Sequence, residues 1–443
     1  MVIGSTDKKL RYKLYAIAAP IIIQNLVHYI QLQVDIAMLG HSNTLFLSAV
    51  GNVLYPYNIV LSFLTALSTG ATVLIAHGLG GRSLNGSRRY AEVSFFYNLV
   101  VSLPLFLLLF FFPDTLMSWM GATDLIKVYA VQFLRSLSFS ILFLGIQLTF
   151  ISIFQGVGKT RPIMIAAIIA TIANVFFDWL LIYGNWGLPA LGIQGAGMAT
   201  SIANCLSMCY LIFAFFVSKA LPFKSSMKGI LNPRWSIHKR SFSLGLPYGM
   251  EAMFWSFGQI FIIRMINEKD SLAVGTYILI SRIQSIALFF YLGFAKATMV
   301  LVGQEMGAGN KQMASHITYM SLRIAVLTAV VASSMFLLFP EYILLVFTTD
   351  KNLLQASVPL LNIVAVTVFP VTVNVVIGNA IRGLKDTRWM FYTQCLGTTF
   401  VILLSAILLF VFDLSLAGVF ITILCDECIR GFLNFRHFRQ LTR

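Results

Sequence analysis

Twelve apolar runs, each long enough to cross a bilayer and separated by short polar loops, constrain this chain more than any other feature of its sequence. They cover about 13–39, 46–77, 90–112, 124–152, 160–183, 193–218, 241–266, 271–303, 314–338, 350–381, 387–411 and 414–435. A helix rising about 1.5 Å per residue needs about 20 apolar residues to span the hydrocarbon. The expected fold is therefore all-α: a polytopic membrane protein with twelve transmembrane helices. Composition agrees, because only 11% of the 443 residues are charged and 58% are hydrophobic, against roughly 25% charged in a globular average. Several runs exceed what a bilayer requires, which permits tilt or an extension into water.

The loops alternate in charge. Lys8, Lys9, Arg11 and Lys13 precede the first run, Arg82, Arg88 and Arg89 follow the second, and Lys159 and Arg161 follow the fourth. Loops after odd-numbered runs are poor in basic residues: His41-Ser42-Asn43 carries no formal charge, Asp124 offsets Lys127, and Glu268-Lys269-Asp270 is net acidic. Positive loops face the cytoplasm, so both termini are expected there, in what reads as a bacterial inner membrane. The same distribution argues that the net charge of +15 serves membrane topology, with no nucleic-acid partner. Asp7-Lys8-Lys9 leads into a run too long for a cleavable signal. Five cysteines, all inside apolar runs, make no disulfide framework. Cys425-Asp426-Glu427-Cys428 has redox spacing without a redox context and reads as structural, as do Cys205 and Cys209.

The chain repeats itself. Pro20 in Ala-Ala-Pro-Ile matches Pro247 in Gly-Leu-Pro-Tyr at an offset of 227 (247 − 20). Residues 73–80 match 300–307, and Gly156-Val157-Gly158-Lys159-Thr160-Arg161 matches Gly383-Leu384-Lys385-Asp386-Thr387-Arg388, both at the same offset. Three matches at one offset argue for duplication of a six-helix unit. Between the copies, Lys219 to Arg240 carries six basic residues and no acid, a solvated linker held against anionic lipid. The expected organisation is an N-lobe at 1–218, a linker at 219–240 and a C-lobe at 241–443. An even-numbered unit keeps its orientation, so a substrate site is expected between the lobes.

Acids inside these runs are the candidate functional residues. A central Asp opposes insertion by roughly 2.5–3.5 kcal/mol and normally faces protein or a watery cavity. Asp35 lies near the far end of the first run, with Ile36-Ala37-Met38-Leu39 continuing beyond it; the competing reading is a helix-end acid near headgroup water. Asn174 and Asp178 stand four apart, on one helical face, and Asp178 could likewise sit at the interface. Glu251 is the acid of the seventh run. At offset 227 Asp35 pairs with Ile262, Asp178 with Ser405 and Glu251 with Gln24, so each lobe has its own polar chemistry. Arg282, mid-run, either neutralises Glu251 or faces a cavity, and Arg135, Arg264 and Lys296 are expected to snorkel. His28 reads as a packing histidine. Gly158-Lys159-Thr160 lacks the glycine a phosphate-binding loop needs, since Ile153 stands there, and no enzyme, cofactor or metal-ligand motif is visible.

Ala19-Pro20 with Asp35, Gln155-Gly156-Val157-Gly158-Lys159-Thr160-Arg161-Pro162 and Arg382-Gly383-Leu384-Lys385-Asp386-Thr387-Arg388 resemble the multidrug and toxic compound extrusion (MATE) family over essentially the whole chain. The resemblance implies two six-helix lobes and ion-driven export of small organic cations by a monomer in the lipid bilayer. It also implies ion coupling at Asp35, Asn174, Asp178 and Thr200, a second-lobe or substrate-binding acid at Glu251, and a bend of the first helix at Pro20. The tenth-helix aspartate that pairs with that glutamate in sodium-binding members falls at Val371, so a full second-lobe cation site is not expected. Exchange for protons is expected, with sodium at Asp35, Asn174 and Asp178 as the alternative. A lipid-linked saccharide flippase of related architecture would want a cationic cleft, whereas these candidates are acidic. A passive channel fits a two-lobe duplication poorly.

Overall fold

The computed structural model describes all residues except 1, 121, 123, 218–220, 224–226, 233, 270–272 and 349. Lys219, Lys224 and Asp270 lie outside the described residues, as do the side chains of Asp124 and Lys228. Among the described residues twelve long helices account for the twelve runs: α1 (Val2–Ser42), α2 (Thr44–Gly80), α3 (Leu84–Phe111), α4 (Asp124–Val157), α5 (Arg161–Tyr183), α6 (Ile193–Val217), α7 (Trp235–Lys269), α8 (Ala273–Gly307), α9 (Lys311–Leu338), α10 (Lys351–Gly383), α11 (Thr387–Ala406, continued by a π-helical turn) and α12 (Leu416–Thr442). No strand occurs among the described residues. Over the described residues, ten of the helices are long and apolar enough to cross a membrane. The other two, α7 and α12, carry charge along their length: Glu251 and Arg264 in one, Asp426, Glu427 and Arg430 in the other.

The 227-residue offset reappears in the backbone. Left-handed φ values recur as Arg82 with Gly309 (309 − 82), Gly158 with Lys385 (385 − 158) and Trp186 with Asp413 (413 − 186). Such values favour glycine, and L side chains adopt them mainly in tight turns. Short helices Pro113–Trp119 and Pro340–Leu345 also open on equivalent prolines. A Cβ on Gly156 would come 3.0 Å from the Thr72 carbonyl and 2.9 Å from Ile75. One on Gly383 would come 2.7 Å from the Met299 carbonyl and 3.1 Å from Val302. Thr72 and Ile75 lie 227 before Met299 and Val302, so the same helix crossing is built twice. Small residues allow this backbone approach in lipid, where packing rather than water exclusion drives association.

The helices separate into two packing units, 23–249 and 1–22 with 250–443. In the first, α4 packs against α2, α3 and α6, α2 against α3, and α5 against α6. In the second, α10 packs against α8, α9 and α12, α8 against α9, and α11 against α12, which is the same neighbour scheme. Two apolar clusters fill the first unit, around Leu134 and Ile141 and around Phe154 and Leu211. One cluster around Tyr291, Val376 and Phe420 fills the second.

Helices α1 and α7 are shared between the units. The division falls after Ile22 in α1 and after Gly249 in α7, again 227 apart (249 − 22) and two residues beyond Pro20 and Pro247. The opening half of α1 packs on α8, where a Cβ at Gly293 would collide with Ile22, and Tyr15 meets Phe294 edge-on at 5.6 Å. The opening half of α7 packs on α2, where a Cβ at Gly245 would collide with the Ala66 carbonyl. Each proline therefore stands at the point where its helix passes from one unit to the other, and proline weakens a helix there by removing one backbone bond.

Candidate functional site

The far half of α1 brings Asp35 to α5 and α6. Two bonds anchor the helices on either side: Thr171 donates to Gln31 Oε1 at 3.0 Å, and the Tyr183 hydroxyl donates to the Met38 carbonyl at 2.9 Å. Between them Asp35 and Asp178 lie within electrostatic reach of each other. Asn174 and Asp178 share the buried face of α5, both with no exposure, while Asp35 and Thr200 are half-buried. Thr200 donates its hydroxyl to the Ala196 carbonyl at 3.0 Å and accepts a long 3.4 Å contact from Asn174 Nδ2. The structure thus brings Asp35, Asn174, Asp178 and Thr200 together.

The cluster is rich in oxygen and poor in donors. Asp35 Oδ1, Asn174 Oδ1 and both Asp178 carboxyl oxygens are buried without a hydrogen-bond donor. An unmet buried polar atom is costly, and a buried charge far more so. Chemically, two carboxyl groups in this position can hold a proton shared between them, or a small cation on carboxylate, carboxamide and hydroxyl oxygens.

The second unit handles its acids differently. Glu251 on α7 is held by Arg382 on α10, Nη2 to Oε1 at 2.5 Å, with both side chains mostly buried. Arg382 therefore supplies the counter-charge considered above for Arg282, which is exposed. On α12, Arg430 donates to Asp426 at 2.6–3.0 Å, to Glu427 at 2.5 Å and to Gln394 Oε1 at 2.8 Å. Asn374 donates to Glu427 Oε2 at 2.8 Å, and Asn434 donates to Asn374 Oδ1 at 2.7 Å. Trp389 Nε1 closes the chain on Asn434 Oδ1 at 2.8 Å. Gly397 makes room, since a Cβ there would collide with the Asp426 carboxylate. Val371 is a buried apolar residue at the aspartate position the family pattern would fill.

Sequence reasoning missed Asp426, Glu427, Arg430 and Arg382. For the first three a signal was present: Asp426 and Glu427 stand four and three residues before Arg430, the spacing at which opposite charges meet on a helix, inside an otherwise apolar run. The flanking Cys425 and Cys428 are free.

The MatE family profile matches residues 20–180 and 247–412, a pair of segments offset by the same 227 residues at their starts. A probable multidrug resistance protein NorM of Thermotoga maritima is 24% identical, over 97% of this chain and 92% of its own length. Multidrug resistance protein MdtK of Yersinia pseudotuberculosis is 25% identical, over 86% of this chain and 83% of its own. A crystal structure of a MATE protein in complex with MaL6 superposes with a TM-score of 0.92 at 18% identity, covering 98% of this chain and 96% of that one. The profile match across both halves and the shared twelve-helix architecture make this chain a member of the MATE family of multidrug efflux transporters.

Proposed function

We propose that the protein is a secondary antiporter that exports cationic, amphipathic drug-like compounds in exchange for protons, working by alternating access from a bacterial inner membrane with both termini in the cytoplasm. The observation that carries this reading is the set of four buried, donor-less oxygens shared by Asp35, Asn174 and Asp178. Among the described residues no ion pair reaches Asp35 or Asp178, so the cluster takes its positive charge from outside, and releasing that charge restores carboxylate repulsion. Binding and release then alter how tightly the far half of α1 is held to α5. Pro20, two residues before α1 changes units, is the point at which that difference becomes a bend.

Glu251 is the second-lobe acid in this scheme. Its Oε2 is buried without a partner while Oε1 is held by Arg382, so an incoming organic cation has one carboxylate oxygen to engage. Sodium is the second reading, favoured by Asn174 Oδ1 and the Thr200 hydroxyl, which are neutral oxygens of the kind that hard cations use. Asp35→Asn separates the ion-coupled reading from a passive one. The variant keeps shape and polarity but cannot exchange a proton, so it should reach the membrane at normal levels and fail to export. Wild-type efflux by that variant would overturn the assignment.

A further inference from the structure

A different polar site lies away from the carboxyl cluster, where the first turns of α3 meet the segment that follows α6. Asn85, Arg88, Arg89 and Glu92 line one side of a cleft, and Asn232 and Arg234 line the other. Glu92 is almost fully buried and receives Arg88 Nε at 2.8 Å. Its carboxylate leans on the linker backbone at Gly229, where any Cβ would collide with it. Glu92 thus satisfies Arg88 and seats the linker turn Met227–Ile230 against α3. Arg89 and Arg234 form no salt bridge among the described residues and are exposed at the cleft mouth. Three guanidiniums against one carboxylate leave the cleft with an excess of positive charge and two side-chain amides, a set suited to an anion with several acceptor oxygens.

We propose that this cleft binds the phosphate of an anionic phospholipid and so staples the linker to α3. Both segments carry basic residues of the kind that face the anionic leaflet. The rim points to a lipid rather than a free phosphate: Leu84, Leu231 and Trp235, each next to a lining residue, are 44%, 71% and 64% exposed. An exposed Trp and two Leu beside a basic cleft fit the boundary between headgroups and acyl chains. The Trp235 ring is held by Tyr97 at 5.9 Å, and Tyr97 in turn stacks on His238 at 3.5 Å, so the rim is fixed to α3.

The test uses the full chain in phosphatidylcholine nanodiscs with phosphatidylglycerol titrated in, read by native mass spectrometry and by the thermal midpoint. Phosphatidylglycerol should be retained by the wild type and raise its midpoint. Arg89→Ala with Arg234→Ala should weaken retention roughly thirtyfold and abolish the rise, while the corresponding lysine pair keeps part of both. Should the alanine pair not fold, Arg89→Gln alone, read by the same mass shift, decides. Equal phosphatidylglycerol retention by wild type and variant overturns the site. An equal, arginine-dependent rise with inorganic phosphate alone overturns the lipid assignment.

Discussion

The two units share a backbone plan yet treat the acids of their candidate sites in opposite ways. In the first, Asp35 and Asp178 sit beside Asn174 with four oxygens unmet. In the second, Glu251 is met by Arg382, while Asp426 and Glu427 are met by Arg430 and tied through Gln394, Asn374 and Asn434. An internally paired network resists perturbation, because removing one partner strands the others in a medium that solvates them poorly. An unpaired cluster has no such internal partner to lose. On the proposed function, the first unit would exchange the ion and the second would hold a braced acid for cargo.

The largest effect that sharpens this contrast is on transport. Asp35→Asn and Asp178→Asn should each reduce efflux of a fluorescent cation to background while leaving the thermal midpoint unchanged or raised, since each removes one of two repelling charges. A collapse of the midpoint in either variant would make the cluster structural. The next effect is on stability. Arg430→Met leaves Asp426 and Glu427 without their cation and should cost about 3–5 kcal/mol, read as lowered midpoint and poor expression. If Arg430→Met were as stable as wild type, the network would not be a brace.

A smaller and more selective change is expected for Glu251→Gln, which should depress transport of cationic compounds more than neutral ones. Equal loss of both would place Glu251 with the structural network rather than with cargo. The smallest effect is expected for Thr200→Ala, which removes the acceptor of a 3.4 Å contact. Net hydrogen-bond contributions are about 1 kcal/mol, so a few-fold weaker coupling-ion dependence is expected, without loss of export. Complete loss would mean that the hydroxyl is a primary ligand.

Much of the fold was legible in the chain, because a transmembrane helix declares itself by a local property, length of apolar run, and duplication preserves an offset that can be read directly. Prolines 20 and 247 and the Gly156 and Gly383 segments marked that offset before the backbone repeated it. The first-unit cluster was partly legible for a similar reason: Asn174 and Asp178 are one helical turn apart, and Asp35 stands out in an apolar run. The Glu251–Arg382 pair was not, because its members are separated by 131 residues and only tertiary packing brings them together. Arg430 with Asp426 and Glu427 was within reach of a helical-spacing argument, since the three stand three and four apart on one helix. Neutral partners such as Asn374 and Gln394 carry no signal until a neighbour is known.

Efflux of a fluorescent cation from everted vesicles, with proton and sodium gradients imposed separately, tests most directly whether the unpaired carboxyl cluster is discharged by protons. Transport should collapse with a protonophore in sodium-free medium, return when the proton gradient is restored, and show neither response in Asp35→Asn. Strict dependence on sodium at constant pH, with no response to the proton gradient, would contradict it.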